Sequence, residues 1–189
     1  MEQERYQILE RLGMGGIGVV YKGFDRQLNR HVAIKRLMNR NEFADSSAEE
    51  SALHKEASTL AAMRHPSIVT IFDVSSDEDG VFMVMELLEG DDLGHYLYRE
   101  GPLPLADFEQ LATQMLEALI AAHDMKLLHR DIKTENIRVQ RALTGRFQCK
   151  LVDFGLARVS HVAMKQTVDQ SGNVLGSVSY MAPEQFIRE

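Results

Sequence analysis

One stretch constrains this 189-residue chain more than any other, namely the eight residues from His129 to Asn136. It places an acid, Asp131, two residues before Lys133 and five residues before Asn136, directly after a long amphipathic pattern. Such a cluster has little to contribute to a hydrophobic core. A carboxylate, a cation and an amide oxygen within one turn can together hold a hydroxyl proton, a phosphate and a metal ion. The stretch therefore predicts a catalytic site.

A glycine-rich segment near the N-terminus predicts a hairpin that binds phosphates, because glycine lets backbone N–H groups come close to a ligand. A dinucleotide-binding fold has the same glycine spacing but continues into a helix. Here residues 19–24 have a strand pattern instead, which favours the hairpin. An ordinary glycine-rich hairpin is the alternative. The candidate residues are Leu12, Gly13, Met14, Gly15, Gly16, Ile17, Gly18 and Val20.

The remaining patterns predict strands and helices around these motifs. Residues 31–37 form a strand pattern that contains Ala33 and Lys35, and a helix with an apolar face follows and contains Glu56. Two further strand patterns, 68–74 and 81–87, are joined by a segment with an Asp-Gly hairpin signal. Residues 105–125 form the strongest helix pattern, and we expect Phe108 on its core face and Asp107 on its solvent face. A lysine that ends a strand, or a glutamate within a helix, is most often simply solvated.

In this order the motifs resemble those of the eukaryotic-type (Hanks-type) serine/threonine protein kinases, with a bacterial-like ending. The matching segments are GMGGIGVV at 13–20, VAIK at 32–35, HPSIV at 65–69, HRDIKTEN at 129–136, DFG at 153–155 and APE at 182–184. The resemblance implies an α+β fold with two lobes. Residues 1–85 would form a five-stranded antiparallel N-lobe sheet with its αC helix, 86–90 the hinge, and 91–189 part of a mainly helical C-lobe.

The resemblance implies ATP and Mg²⁺ as cofactors and gives each motif a role in phosphoryl transfer. Asp131 would orient the acceptor hydroxyl and take its proton, and Lys133 would lie beside the γ-phosphate. Asn136 and Asp153 would bind the metal. In the N-lobe, the glycine-rich hairpin would cover the phosphates, and Lys35, paired with Glu56, would hold them. The residues implied at the adenosine moiety are Ala33, Met85, Glu86, Leu88, Asp92 and Arg138, with the Glu86 and Leu88 contacts made by backbone.

The resemblance also implies control by phosphorylation. Arg130 would pair with a phosphate on the segment that follows Asp153, and we expect Thr167 or Ser171 to be the acceptor. Ser177 stands where the family usually has a threonine that contacts the catalytic acid and lysine. Phosphorylation between two copies would require at least a transient dimer.

Besides Ser177, two residues depart from the family pattern, and the chain ends early relative to it. Thr134 stands where proline is common, and Arg138 where an apolar side chain usually lies under the adenine ring. The chain stops five residues after Glu184, so we expect a fragment or truncated product that lacks the lower C-lobe helices. Such a chain would be weakly active, with an exposed apolar face on the helix at 105–125. A pseudokinase used as a binding scaffold, and a small-molecule kinase, are the alternatives.

Composition narrows the partners and the location. The net charge is −7, from 28 acidic and 21 basic residues, which argues against nucleic acid as a partner. The single cysteine, Cys149, cannot form an internal disulfide and fits a reducing compartment. No apolar run approaches the ~20 residues of a spanning helix. We therefore expect a cytoplasmic chain whose partners are ATP and protein substrates with Ser or Thr acceptors. A membrane anchor beyond Glu189 stays possible.

Overall fold

The computed structural model describes residues 5–15, 18–37, 59–78, 80–142, 145–154 and 180. The chain divides into two compact units, Met1–Glu89 and Gly90–Glu189. No helix among the described residues is both long and apolar enough to cross a bilayer.

The first unit contains a five-stranded sheet in which every neighbouring pair is antiparallel, and the strand order is β1-β2-β3-β5-β4. This confirms the predicted sheet. Most of the predicted αC helix, including Glu56, lies outside the described residues, although residues 59–62 are helical. The strands are β1 (Tyr6–Gly15), β2 (Gly18–Asp25), β3 (Arg30–Leu37), β4 (Ile71–Asp77) and β5 (Gly80–Met85).

The central strand β3 is buried from Val32 to Lys35, so both of its faces are covered along this stretch. Val32 and Ile34 project to one face, where they form a buried cluster with Val84 of β5. Ala33 and Lys35 project to the opposite face. This alternation separates a purely structural face of the sheet from the face that carries Lys35.

A buried acid fastens the start of β1 to the rest of the sheet. Asp25 is fully buried and accepts hydrogen bonds from Arg5 Nη2 at 3.1 Å, Gln27 N at 3.0 Å and Leu28 N at 3.1 Å. Burial alone would raise the pKa of the Asp25 carboxyl, but the bonds from Arg5 and the backbone outweigh it and lower that pKa. Next to Arg5 in the sequence, the Tyr6 hydroxyl donates a hydrogen bond to Asp73 Oδ2 of β4 at 2.6 Å.

The described part of the second unit combines two helices with a small antiparallel sheet of order β6-β7-β8. Its elements are β6 (Asp91–Asp92), α1 (Leu93–Glu100), α2 (Leu105–Asp124), a 3₁₀ turn (Thr134–Asn136), β7 (Ile137–Arg141) and β8 (Phe147–Leu151). The long predicted helix is confirmed as α2, and it buries Leu111, Ala118 and Ala122.

The predicted orientation of the first turn of α2 is wrong. Phe108 is 53% exposed, whereas Asp107 is buried and paired with Arg141 of β7. Further along the helix, the Gln114 side chain donates to Phe147 O at 3.0 Å and accepts from Cys149 N at 3.2 Å. The Gln114 side chain thus holds β8 against α2, because it satisfies backbone groups on the edge of β8, which ends just before Val152-Asp153.

Candidate active site

His129 organises the loop that carries Asp131. Its ring is buried and lies against the Phe154 ring, with centroids 4.6 Å apart. His129 Nε2 lies 2.8 Å from Val152 O, and its Nδ1 lies 3.3 Å from Asp131 N. A carbonyl can only accept and a backbone N–H can only donate, so the ring is neutral with its proton on Nε2. His129 thus connects the catalytic loop to the end of β8.

Asp131 is held by the two residues predicted to work with it. Lys133 Nζ lies 2.9 Å from Asp131 Oδ2. Asn136 Nδ2 donates both to Asp131 O at 2.7 Å and to Asp131 Oδ2 at 3.0 Å. The Asp131 side chain nevertheless stays 30% exposed. The carboxylate is therefore fixed in direction and still accessible from solvent.

Asn136 and Asp153 are the two residues that could hold a magnesium ion, judged by the chemistry of their oxygen atoms. The Asn136 amide nitrogen is committed to Asp131, which leaves its Oδ1 as the ligand atom of this buried side chain. Asp153 follows β8 in a left-handed conformation, φ +62°, and Val152 N donates to Asn136 O at 2.9 Å. Mg²⁺ prefers few, hard oxygen ligands and keeps several waters. One amide oxygen and one carboxylate match this preference.

In the first unit, the sheet brings together several residues predicted to contact ATP. Lys35 pairs with Val20 of β2 and Met83 of β5, and Ala33 pairs with Met85. Lys35 is only 4% exposed, although a lysine at the end of a strand is usually solvated. Its burial supports a role for the ammonium beyond solubility.

The predicted hinge residue Glu86 is partly committed to its own unit. Its backbone N–H donates to Thr70 O at 2.9 Å, and its side-chain Oε1 accepts from Thr70 N at 2.7 Å. Its backbone N–H is therefore already bonded within the first unit. Asp92 caps α1 by accepting from His95 N at 2.8 Å.

Among the contacts of this site that were not predicted from the sequence, two join residues far apart in the chain. The Arg138 guanidinium donates to Gly90 O, and Thr134 Oγ1 lies 3.2 Å from the Tyr180 hydroxyl. No local pattern indicates either contact, since each joins residues more than forty positions apart. The predicted site residues outside the described part of the chain are Gly16, Ile17, Glu56, Thr167, Ser171 and Ser177.

We expect Gly18→Ala to destabilise the ligand-free protein by about 1–3 kcal/mol, a cost typical of overpacking. A Cβ at Gly18 would overlap Arg36 O of the paired strand, so the backbone of β2 or β3 would have to shift. Urea unfolding would measure this. Gly13→Ala is the matched control, because a Cβ there meets no described atom within 4 Å. Equal stability of the two variants would contradict the steric argument.

Acidification should weaken the fold through His129. Burial lowers the pKa of the His129 imidazole below its ordinary 6.5, despite the bond to Val152 and the nearby Asp131 and Asp153, which raise it. The unfolded state therefore binds this proton more readily, so the stabilisation is complete above pH 6.5 and is lost as the pH falls below it. Urea titrations between about pH 7 and pH 5 should show a smaller loss of stability for His129→Phe than for the wild type. An equal loss of stability in His129→Phe and in the wild type over this pH range would contradict this prediction.

The family model for the protein kinase domain matches residues 6–189. The chain is 38% identical over 183 residues to "Serine/threonine-protein kinase pkn2" of Myxococcus xanthus, covering 97% of this chain and 22% of that protein. It is 36% identical to "Serine/threonine-protein kinase PrkC" of Bacillus subtilis (strain 168), covering 96% and 26%. The chain thus spans about a quarter of the length of these relatives.

Solved structures include a similar fold. The crystal structure of Rad53 1-466 in complex with AMP-PNP matches with a TM-score of 0.75 and 25% sequence identity, covering 96% of this chain and 42% of that one. The family match extends over the glycine-rich hairpin, Lys35, the loop that carries Asp131, and Asp153. This chain belongs to the protein kinase domain family.

Proposed function

We propose that this chain transfers the γ-phosphoryl group of ATP to serine and threonine hydroxyls of proteins. The observation that carries the proposal is the Asp131 carboxylate, which is fixed by Lys133 and Asn136 and remains accessible. The relatives named serine/threonine-protein kinases support the acceptor class. The AMP-PNP of the similar Rad53 structure is an ATP analogue and supports the nucleotide.

In the proposed mechanism, the chain's own residues position the reactants and balance charge. Asp131 orients the acceptor hydroxyl and accepts its proton as the oxygen–phosphorus bond forms, and ADP leaves. Lys133, already beside Asp131, neutralises charge on the transferred phosphoryl group. Asn136 Oδ1 and the Asp153 carboxylate would hold Mg²⁺, which when bound would neutralise phosphate oxygens.

Residues of the first unit bind the rest of the nucleotide in this proposal. Lys35 holds the α- and β-phosphates, with Glu56 as its partner. The glycine-rich hairpin covers these phosphates through its backbone N–H groups. At the adenosine moiety, we propose Ala33 and Met85 around the ring, with the Glu86 carbonyl and the Leu88 backbone at its edge. Residues 1–85, 86–90 and 91–189 would then be the N-lobe, the hinge and the C-lobe portion.

We further propose that phosphorylation of the segment after Asp153 activates the protein. Arg130 would bind the phosphate on Thr167 or Ser171, and Ser177 would contact the catalytic acid. If one copy of the protein phosphorylated another, the rate of autophosphorylation would depend on the protein concentration. The proposed setting is the cytoplasm, where ATP and protein substrates are available.

A binding scaffold without transfer activity is the second candidate function. It is favoured by Arg138, which stands where the family pattern has an apolar residue under the adenine ring. A cationic side chain there would weaken a site that is usually apolar, unless its stem covers the ring and its head reaches solvent.

Radiolabelled ATP distinguishes the two functions. The purified protein would be incubated with γ-labelled ATP, Mg²⁺ and a library of peptides that each contain one Ser, one Thr or neither. The proposal expects label on Ser and Thr peptides alone, identified by phosphoamino-acid analysis, and its loss when Mg²⁺ is chelated. Binding of ATP without any labelled peptide would support the scaffold and contradict the proposed transfer.

A further inference from the structure

The segment Gly90–Asp92 lies tightly against β7. Asp91 pairs with Val139, and Asp92 pairs with Arg138, in the β6–β7 ladder. Gly90 adopts φ +83°, and a Cβ there would overlap Val139 O. Both features require glycine, because left-handed backbone and close approach are costly for other residues. The segment is thus built to follow the surface of β7.

Arg138 adds a side-chain bond to this backbone contact. Its guanidinium donates to Gly90 O, so the arginine binds the carbonyl two residues before its ladder partner Asp92. Arg138 itself is half-buried. An apolar side chain at this position could cover a ligand but could not bind that carbonyl. The substitution of arginine for an apolar residue therefore brings a contact as well as a charge.

The same segment is held by α1. Asp92 Oδ1 accepts from His95 N at 2.8 Å, which fixes the direction of the carboxylate at the helix start. Asp91 pairs with Arg99, and that bond lowers the pKa of the Asp91 carboxyl. The direction of the Asp92 carboxylate therefore depends on where α1 and the Gly90 carbonyl lie.

We propose that Arg138 is a positioning residue for the nucleotide ribose, acting through the Gly90–Asp92 segment. The inference rests on the proposed function and on the expectation that Asp92, one of the residues implied at the adenosine moiety, contacts the ribose hydroxyls. The guanidinium holds Gly90 O in place, and this fixes the backbone from which Asp92 projects. Arg138 then strengthens nucleotide binding and does not weaken it. The wild type should bind ribose-containing nucleotides more tightly than variants that lack the guanidinium.

Calorimetric titration with two ligands tests this inference. ADP carries both ribose hydroxyls, whereas 2′,3′-dideoxy-ADP carries neither. Arg138→Met keeps an unbranched stem and loses the guanidinium, that is, both its N–H donors and its charge. We expect it to bind ADP about three- to tenfold more weakly than the wild type, the range for one lost hydrogen bond. The affinity for 2′,3′-dideoxy-ADP should change less than about twofold, because that ligand has no hydroxyl for Asp92 to bind.

The dideoxy ligand and a second variant serve as controls. Unchanged binding of the dideoxy ligand shows that Arg138→Met is folded, whereas an equal loss for both ligands would overturn the inference. Unchanged or tighter binding of ADP would overturn it as well. Arg99→Met removes a neighbouring cation that binds the Asp91 side chain instead of a carbonyl. If it reproduced the ADP-specific loss, local charge would explain the effect and the inference would fail. Failure of the wild type to bind either ligand would instead refute the proposed function.

Discussion

Asp131→Asn should lower the rate of phosphoryl transfer by about 10²–10⁴, the range for removal of a general base. Asparagine has nearly the same shape and can still accept from Asn136 Nδ2, so the loop should keep its conformation. It cannot take up the hydroxyl proton, and it loses the ion pair with Lys133. The rate is measured with labelled ATP and the Ser and Thr peptides. Nucleotide affinity should change little, because in the proposed mechanism Asp131 acts on the acceptor.

Asp124→Asn is the matched control for this prediction. Asp124 is an exposed carboxylate at the end of α2, a few residues before the catalytic loop. Its loss changes the net charge by the same amount, so transfer should stay within about twofold of the wild type. If Asp131→Asn retained more than a tenth of the wild-type rate, the proton-accepting role would be wrong. If both variants were equally impaired, the loss would reflect charge rather than chemistry.

Local sequence patterns were sufficient to predict the elements in which residues close in space are also close in sequence. The β1–β2 hairpin and α2 are of this kind. The fourth strand was misplaced, because the apolar run at 68–74 suggested a strand whereas β4 is Ile71–Asp77. Ile68 and Val69 are buried before the strand begins, and the polar residues Ser75 and Ser76 are recruited into the ladder by Phe82 and Val81. Pairing with β5 overrides composition there.

The first turn of α2 shows a second limit. Asp107 looks like a solvated helix residue by its type, yet it is buried with Arg141, which is 34 residues away. Phe108 takes the exposed position instead. Helical periodicity places apolar residues in the core because of their type alone. It cannot predict a buried ion pair whose partner is distant in the sequence.

The candidate site was predictable as a set of residues but not as a set of contacts. The motif indicates Asp131, Lys133 and Asn136, and the structure brings these three within hydrogen-bonding distance. The same motif contains His129, but its spacing does not show that the two ring nitrogens join Val152 O to Asp131 N. Such bonds depend on the tertiary approach of β8 to the loop, which local spacing does not encode.

Asp25→Ala should lower the free energy of unfolding of the first unit by about 2–3 kcal/mol. The substitution removes the acceptor of two partly buried hydrogen bonds, from Gln27 N and Leu28 N, and it removes the partner of Arg5. Arg5 is 38% exposed and keeps Asp73, so its charge can be resolvated and the cost stays below that of a fully buried pair. Urea unfolding followed by circular dichroism measures the change.

A control variant, Glu10→Ala, and the pH dependence of the stability test the Asp25 prediction further. Glu10 also pairs with a cation of the same sheet, Lys22 at 3.3 Å, but its side chain is 61% exposed, so its loss should cost less than about 1 kcal/mol. Because the pKa of Asp25 in the folded protein lies below its ordinary 3.8, its stabilisation is complete at neutral pH and disappears as the pH falls through the folded value. The difference between wild type and Asp25→Ala should therefore narrow only below about pH 4. A difference no larger than that of Glu10→Ala at neutral pH would show that Asp25 does not fasten β1 to the sheet.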